Sequence, residues 1–241
     1  MTIIEFQILK CPDQCVEPWR ENDPNIQKII LPKSKKLSNI RDSIKHRRIN
    51  RLGEARFLAE AFIARKREPT VSKGWYGSYS WLGDDKWASE CFKADGDELW
   101  KRTHQEEFYG ALKNYLDLKK VKKMQIIAAA FSRQEGLKVK KGPDLFFVDK
   151  SGQFEFIEAK LSYYDYARKK WHKDRMDEDG NQYASLAIIQ KCLNAKVTIV
   201  RVCPERLDKN EEEIERQKHI CNFKTMCERL EFCIKREQKT M

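Results

Sequence analysis

The chain has 241 residues, with 48 Lys and Arg against 37 Asp and Glu, a formal net charge of +11 and an isoelectric point near 9.2. That length can bury a real core, as one large domain or as a small domain with an elaborated N-terminal region, and the excess of cations favours a polyanionic partner. No apolar run approaches the roughly 20 residues needed to span a bilayer, no charged-then-apolar leader opens the chain, and the eight cysteines form no legible disulfide framework, so a soluble cytoplasmic protein with reduced thiols is expected.

Residues 1 to about 40 carry Pro12, Pro18, Pro24 and Pro32 and little periodicity beyond a possible strand at Ile3 to Leu9, which predicts an irregular arm or cap. From about 47 to 67 a helix is expected, led by Arg51-Leu52-Gly53-Glu54, with Phe57, Leu58, Ala61 and Phe62 as its inner face. An aromatic, glycine-bearing stretch follows, from Gly74-Trp75-Tyr76-Gly77 through Trp81 to Trp87. Such rings can stack on unpaired bases, although clusters of this kind more often cover a sheet. Helices are predicted near 103–118 and 121–135, the first with Phe108, Ala111, Leu112, Tyr115 and Leu116 in its apolar stripe and Glu107 beside it.

The next segment carries the chemistry. Gly142-Pro143-Asp144 leads into the apolar run Leu145 to Val148, Asp149-Lys150-Ser151-Gly152 supplies turn formers, and Gln153 to Lys160 alternates, which together predict a β-hairpin. Period-two alternation puts Phe154, Phe156, Glu158 and Lys160 on one face of the second strand and Glu155, Ile157 and Ala159 on the other. Glu158 and Lys160 then point the same way, toward the strand headed by Asp144. Two carboxylates so placed can hold a hard divalent cation such as Mg²⁺ or Mn²⁺, with the Ala159 carbonyl as a third oxygen ligand. The bound ion would polarise a phosphodiester and lower the pKa of a water, and Lys160 would position that water or screen developing charge. The competing reading is a surface hairpin with a salt bridge.

Downstream, Gln182, Leu186, Ile189 and Leu193 follow a helical stripe, so the glutamine lies on the inward face, where its amide needs a partner. Val197 to Val202 is apolar on both faces apart from Thr198 and Arg201 and reads as a central strand. Phe223, Met226, Cys227, Leu230, Cys233 and Ile234 define a C-terminal amphipathic helix.

These residues resemble the PD-(D/E)xK nuclease superfamily and, within it, the VRR-NUC domain. The resemblance covers Val121 to about Pro204: an apolar helix, Gly-Pro-Asp-Leu-Phe-Phe, Phe-Ile-Glu-Ala-Lys, a Gln-led helix and the strand after it. It implies an α/β, restriction-endonuclease-like core with a mixed central sheet flanked by helices, taken as residues 101–241, behind an N-terminal extension of residues 1–100. By the same resemblance Asp144, Glu158 and Lys160 are catalytic, Gln182 assists, and an upstream helix supplies a further acid. Glu107 is the first candidate for that acid and Glu54 the reserve. The segment between Lys160 and Gln182 is longer than the short connection usual in the family.

The implied activity is Mg²⁺- or Mn²⁺-dependent hydrolysis of DNA phosphodiester bonds, structure-specific in the manner of VRR-NUC enzymes, with RNA as an open second substrate and a homodimer as a possible assembly. The alternatives are a type II-like restriction endonuclease and a non-catalytic nucleic-acid-binding module. Lys122 and Lys123, Lys138, Lys140 and Lys141, and Arg168, Lys169 and Lys170 lie close to the hairpin in sequence and are the expected nucleic-acid contacts.

Overall fold

A computed structural model of the chain describes residues 4–13, 23–42, 44, 58–77, 107, 110–112, 114–139, 142–165, 170–173, 180–205 and 209–240. In chain order its main elements are β1 (Glu5–Cys11), α1 (Pro24–Ile30), a 3-10 turn (Lys35–Leu37), α2 (Leu58–Arg67), β2 (Val71–Tyr76), α3 (Leu118–Glu135), β3 (Leu145–Asp149), β4 (Phe154–Asp165), β5 (Lys170–Lys173), α4 (Asn181–Leu193), β6 (Lys196–Pro204) and α5 (Lys209–Thr240). The strands form one mixed sheet in the order β1-β6-β4-β3-β2. β2 with β3 and β3 with β4 are antiparallel pairs, while β6 is parallel to both β4 and β1. The chain is therefore α/β, with helices on both faces of the sheet. Among the described residues no helix is long and apolar enough to cross a membrane.

Alternation along the strands separates two apolar layers. Phe146, Val148, Phe156, Val197 and Ile199 face α3, α4 and α5. Leu145, Phe147, Ile157, Ala159, Leu161, Val200 and Val202 face α1, α2 and the buried Leu37, Ile40 and Ile44. β6 is buried continuously from Val197 to Pro204, as a central strand covered on both sides must be. In α5, Phe223, Met226, Leu230 and Cys233 face the core, and Cys227 and Ile234 flank them.

Local chemistry fixes the hairpin that matters most. The Asp149 carboxylate accepts hydrogen bonds from Ser151 N, Ser151 Oγ and Gln153 N at 2.7–2.9 Å, and these bonds, the Ser151 hydroxyl first, hold its pKa below the usual carboxylate value. Gly152 takes φ +84°, a left-handed conformation costly for any residue with a Cβ. Register follows from this turn: Val148 pairs with Phe154 and Leu145 with Ile157.

The long connection between Lys160 and Gln182 is explained by extra sheet. β4 continues to Asp165 and pairs with β5, Ser162 opposite Lys173 and Asp165 opposite Lys170. The sheet does not divide at residue 100. Its outer strands β1 and β2 both come from the N-terminal hundred residues, so the part read as an extension supplies two strands and the α1–α2 layer. Trp75 stacks on Phe146, which stacks on Phe156, so this part of the aromatic segment is core; Tyr79, Trp81 and Trp87 lie outside the described residues.

Candidate active site

Where β3 ends, β4 loses a main-chain partner. Main-chain groups of Glu155 and Ile157 point toward β3, and those of Ala159 point the same way by alternation. Instead of a strand, the Ala159 N–H meets the side chain of Asp144 and donates to Oδ2 at 2.9 Å. Because the N–H and C=O of one strand residue share a direction, the Ala159 carbonyl also points to the Asp144 side. The Asp144 carbonyl in turn accepts Gly77 N–H at 2.8 Å, which ties this corner to the end of β2.

Glu158 and Lys160 project from β4 onto the face covered by α4. Only 4% of Glu158 and 6% of Lys160 are exposed. The Lys160 ammonium donates to Glu158 Oε1 at 2.7 Å and to Gln182 Oε1 at 3.2 Å, and Gln182 Nε2 donates to the same Glu158 Oε1 at 3.0 Å. Gln182 belongs to the first turn of α4, behind Gly180 in a left-handed conformation. Its amide is thus oriented at both ends, and Glu158 Oε2 is the oxygen through which this carboxylate could reach a cation. Burial on a single strand also distinguishes the pair from a surface salt bridge. An exposed pair contributes little, whereas a buried pair costs desolvation that apolar packing would avoid.

As a donor set, two carboxylates and a main-chain carbonyl suit a hard divalent ion. Among the described residues no group of three or more His, Cys, Asp or Glu side chains is gathered as a metal site. Glu107 is exposed, and its Oε2 accepts from Asn39 Nδ2 at 2.9 Å. The Asn39 Oδ1 accepts from Tyr76 N at 3.0 Å, and Tyr76 lies opposite Leu145. Glu107 is therefore tied through Asn39 to the end of β2 that pairs with Leu145, next to Asp144. Glu54 lies outside the described residues.

Of the basic residues, Lys138 is exposed, and its backbone N–H donates to Asn181 Oδ1 at 2.5 Å, one residue before Gln182. Lys138 follows α3 directly, so the C-terminal end of α3 lies at the Gln182 end of α4. Lys122 and Lys123, both exposed, lie in the first turns of α3, about 18 Å from its Glu135 end at 1.5 Å per helical residue. Lys170 is placed in β5. Lys140, Lys141, Arg168 and Lys169 lie outside the described residues.

A buried polar chain beside the site was not anticipated. Arg201 pairs in register with Lys160 and is 2% exposed. Its Nη1 donates to Ser162 Oγ at 3.0 Å, and its Nη2 lies 3.3 Å from Glu215 Oε2. That carboxylate lies 3.6 Å from His219 Nε2, and His219 Nδ1 is hydrogen-bonded to the Tyr183 hydroxyl at 2.6 Å, with Phe6 stacked on the imidazole. Burial lowers the His219 pKa and raises that of Tyr183, so both are neutral at pH 7. The one sign in the sequence was Arg201 itself, a cation interrupting an apolar strand. Comparison of the chain with protein-family models, curated proteins and solved structures found no match.

Proposed function

We propose that the chain is a metal-dependent nuclease of the PD-(D/E)xK type, similar in plan to VRR-NUC domains, acting on DNA. The observation that carries this reading is the buried Glu158–Lys160–Gln182 triangle beside Asp144, whose carboxylate takes the Ala159 N–H at the point where β3 and β4 part. Support for a restriction-endonuclease-like core comes from the element order α2, β2, α3, β3, β4, β5, α4, β6, in which the acid-x-lysine strand β4 lies at the centre of a mixed sheet.

A divalent ion such as Mg²⁺ or Mn²⁺, held by Asp144, Glu158 and the Ala159 carbonyl, would supply Lewis acidity at the phosphate and a more acidic water. Lys160, held by Glu158 and Gln182, presents an ammonium to the attacking water or the phosphate oxygens. Gln182 fixes the direction of both neighbours. The net charge of +11 supplies the long-range attraction for a polyanion.

The test is cleavage of single-stranded, duplex, flap and junction DNA, with RNA counterparts, in Mg²⁺, Mn²⁺ and EDTA, alongside Glu158→Gln. Expected are metal-dependent cleavage by the wild type, preference for flaps or junctions, and loss of cleavage with retained binding in the variant. Discrete bands from a plasmid would favour a restriction enzyme instead. Binding without cleavage in either metal would overturn the enzymatic reading in favour of a nucleic-acid-binding module.

A further inference from the structure

We propose that the outer face of the C-terminal helix is a docking surface for a second copy of this chain, which presents the same face running in the opposite direction. In α5 the side turned to the core carries Phe223, Met226, Leu230 and Cys233. On the other side Ile214, Lys218, Cys221, Thr225, Glu228 and Phe232 are all exposed, and the two large apolar residues are exposed over 68% and 65% of their surface. The six follow one another in steps of four, three, four, three and four residues. That is the spacing at which one helix lays a seam of alternating positions against another. Ile214 and Phe232 stand about 27 Å apart along the axis at 1.5 Å per residue, so neither covers the other within one molecule.

The order of residues along the seam selects the occupant. Ile214 and Phe232 lie nine residues on either side of Phe223, Lys218 and Glu228 lie five, and Cys221 and Thr225 lie two. A twofold axis at the level of Phe223 therefore sets Ile214 against the partner's Phe232, Lys218 against the partner's Glu228, and Cys221 against the partner's Thr225. Each layer then occurs twice, as a self-complementary contact between identical subunits requires. The outer layers are apolar, the next are oppositely charged, and the central ones are small. Two helices in parallel would instead put Lys218 on Lys218 and Glu228 on Glu228, like charges that repel. A slip of seven residues in either direction parts both the apolar pair and the charged pair. The charged layers thus fix direction and register, as single polar layers do in helix pairs, at some cost in affinity.

One helix pair of this length is at the small end of specific interfaces. A dimer that dissociates on dilution is expected, with a Kd on the order of 10 μM. It is independent of the nuclease reading, because the seam lies opposite the face of α5 that meets the core, and cleavage has no part in its test.

Sedimentation velocity of the full chain without DNA, from about 1 to about 300 μM, brackets that Kd. The wild type should pass from monomer to dimer over this range. Lys218→Glu and Glu228→Lys should each weaken the dimer at least about 10-fold, because each variant alone sets like charges together in both charged layers. An equal mixture of these two variants should dimerise again, since every charged layer then joins an acid to a base, and the double variant carrying both changes should also recover. Ile214→Asp with Phe232→Asp should be monomeric throughout. All four positions are exposed, so circular dichroism of the variants should match the wild type. A wild type that stays monomeric gives the seam to a different partner and overturns the proposal. A dimer that survives Lys218→Glu unchanged, or a mixture that remains monomeric, overturns it as well.

Discussion

Glu158 and Lys160 are an expensive way to fill space on β4. Both are almost wholly buried, and the carboxylate oxygen that takes the ammonium also takes the Gln182 amide. Removing one partner leaves the other charge buried with less compensation, so Glu158→Leu and Lys160→Met should each lower stability by about 3–5 kcal/mol. Replacing both, as Glu158→Leu with Lys160→Met, removes the desolvation cost altogether and should give a protein at least as stable as the wild type but without cleavage. Urea unfolding of the four proteins checks this. A double variant as unstable as the sum of the singles would mean that the pair is there for stability and not for chemistry.

A second residue-level expectation concerns His219. Burial is the main cause of its lowered pKa, with Arg201 and Lys218 acting in the same direction and Glu215 opposing them. A histidine harder to protonate when folded binds fewer protons than the unfolded chain at acid pH. Its contribution to stability is therefore fully present above the ordinary imidazole value of 6.5 and is lost as pH falls below it toward the lowered folded value. Stability should decline between pH 7 and pH 5, and His219→Gln, which cannot titrate, should show a shallower slope over that window. Equal slopes would exclude His219 as the source.

At the scale of elements, the hairpin, α4, β6 and α5 were legible because each carries a strong periodic signal over its own length. The meeting of Glu158, Lys160 and Gln182 was legible for the same reason: alternation on β4 and the stripe on α4 set their directions. What was not legible depends on pairing between distant segments. Nothing local marks β1 and β2 as edges of the same sheet, nor Asn39 as the amide joining Tyr76 to Glu107, nor Glu215 as the partner of Arg201. Gly74 illustrates the point. A Cβ there would lie 2.6 Å from both Leu37 Cδ2 and Phe147 Cδ1, so the glycine lets the 35–37 turn sit directly on the sheet. Gly74→Ala should push that turn off β2, and the overpacking should cost about 1–3 kcal/mol. Thermal unfolding with Leu37→Ala in the same background tests the cause: trimming Leu37 should relieve part of the cost, and a purely additive double variant would show that the contact is not responsible.

For the whole molecule, charge and geometry predict how a polyanion would lie on it. Lys138 is tied through its backbone to Asn181 at the Gln182 end of α4, while Lys122 and Lys123 lie in the first turns of α3, at the end away from Lys138. The separation of about 18 Å along α3 equals roughly five nucleotide steps at 3.4 Å per strand. A nucleic acid whose scissile phosphate is at Asp144 and Glu158 would meet Lys138 close to the cut and could reach Lys122 and Lys123 only by extending several nucleotides along α3. Lys138→Ala should then weaken binding on every substrate length, and Lys122→Ala with Lys123→Ala only on substrates that run beyond the cut by about that distance. Salt dependence provides the measure. A surface that neutralises about six phosphates should lose roughly 10³-fold in affinity between 50 and 200 mM salt, and each phosphate contact removed should lower the log–log slope by about one. A slope that Lys138→Ala leaves unchanged, or a Lys122 and Lys123 effect that is the same on short and long substrates, would mean that the strand takes a different path across the protein.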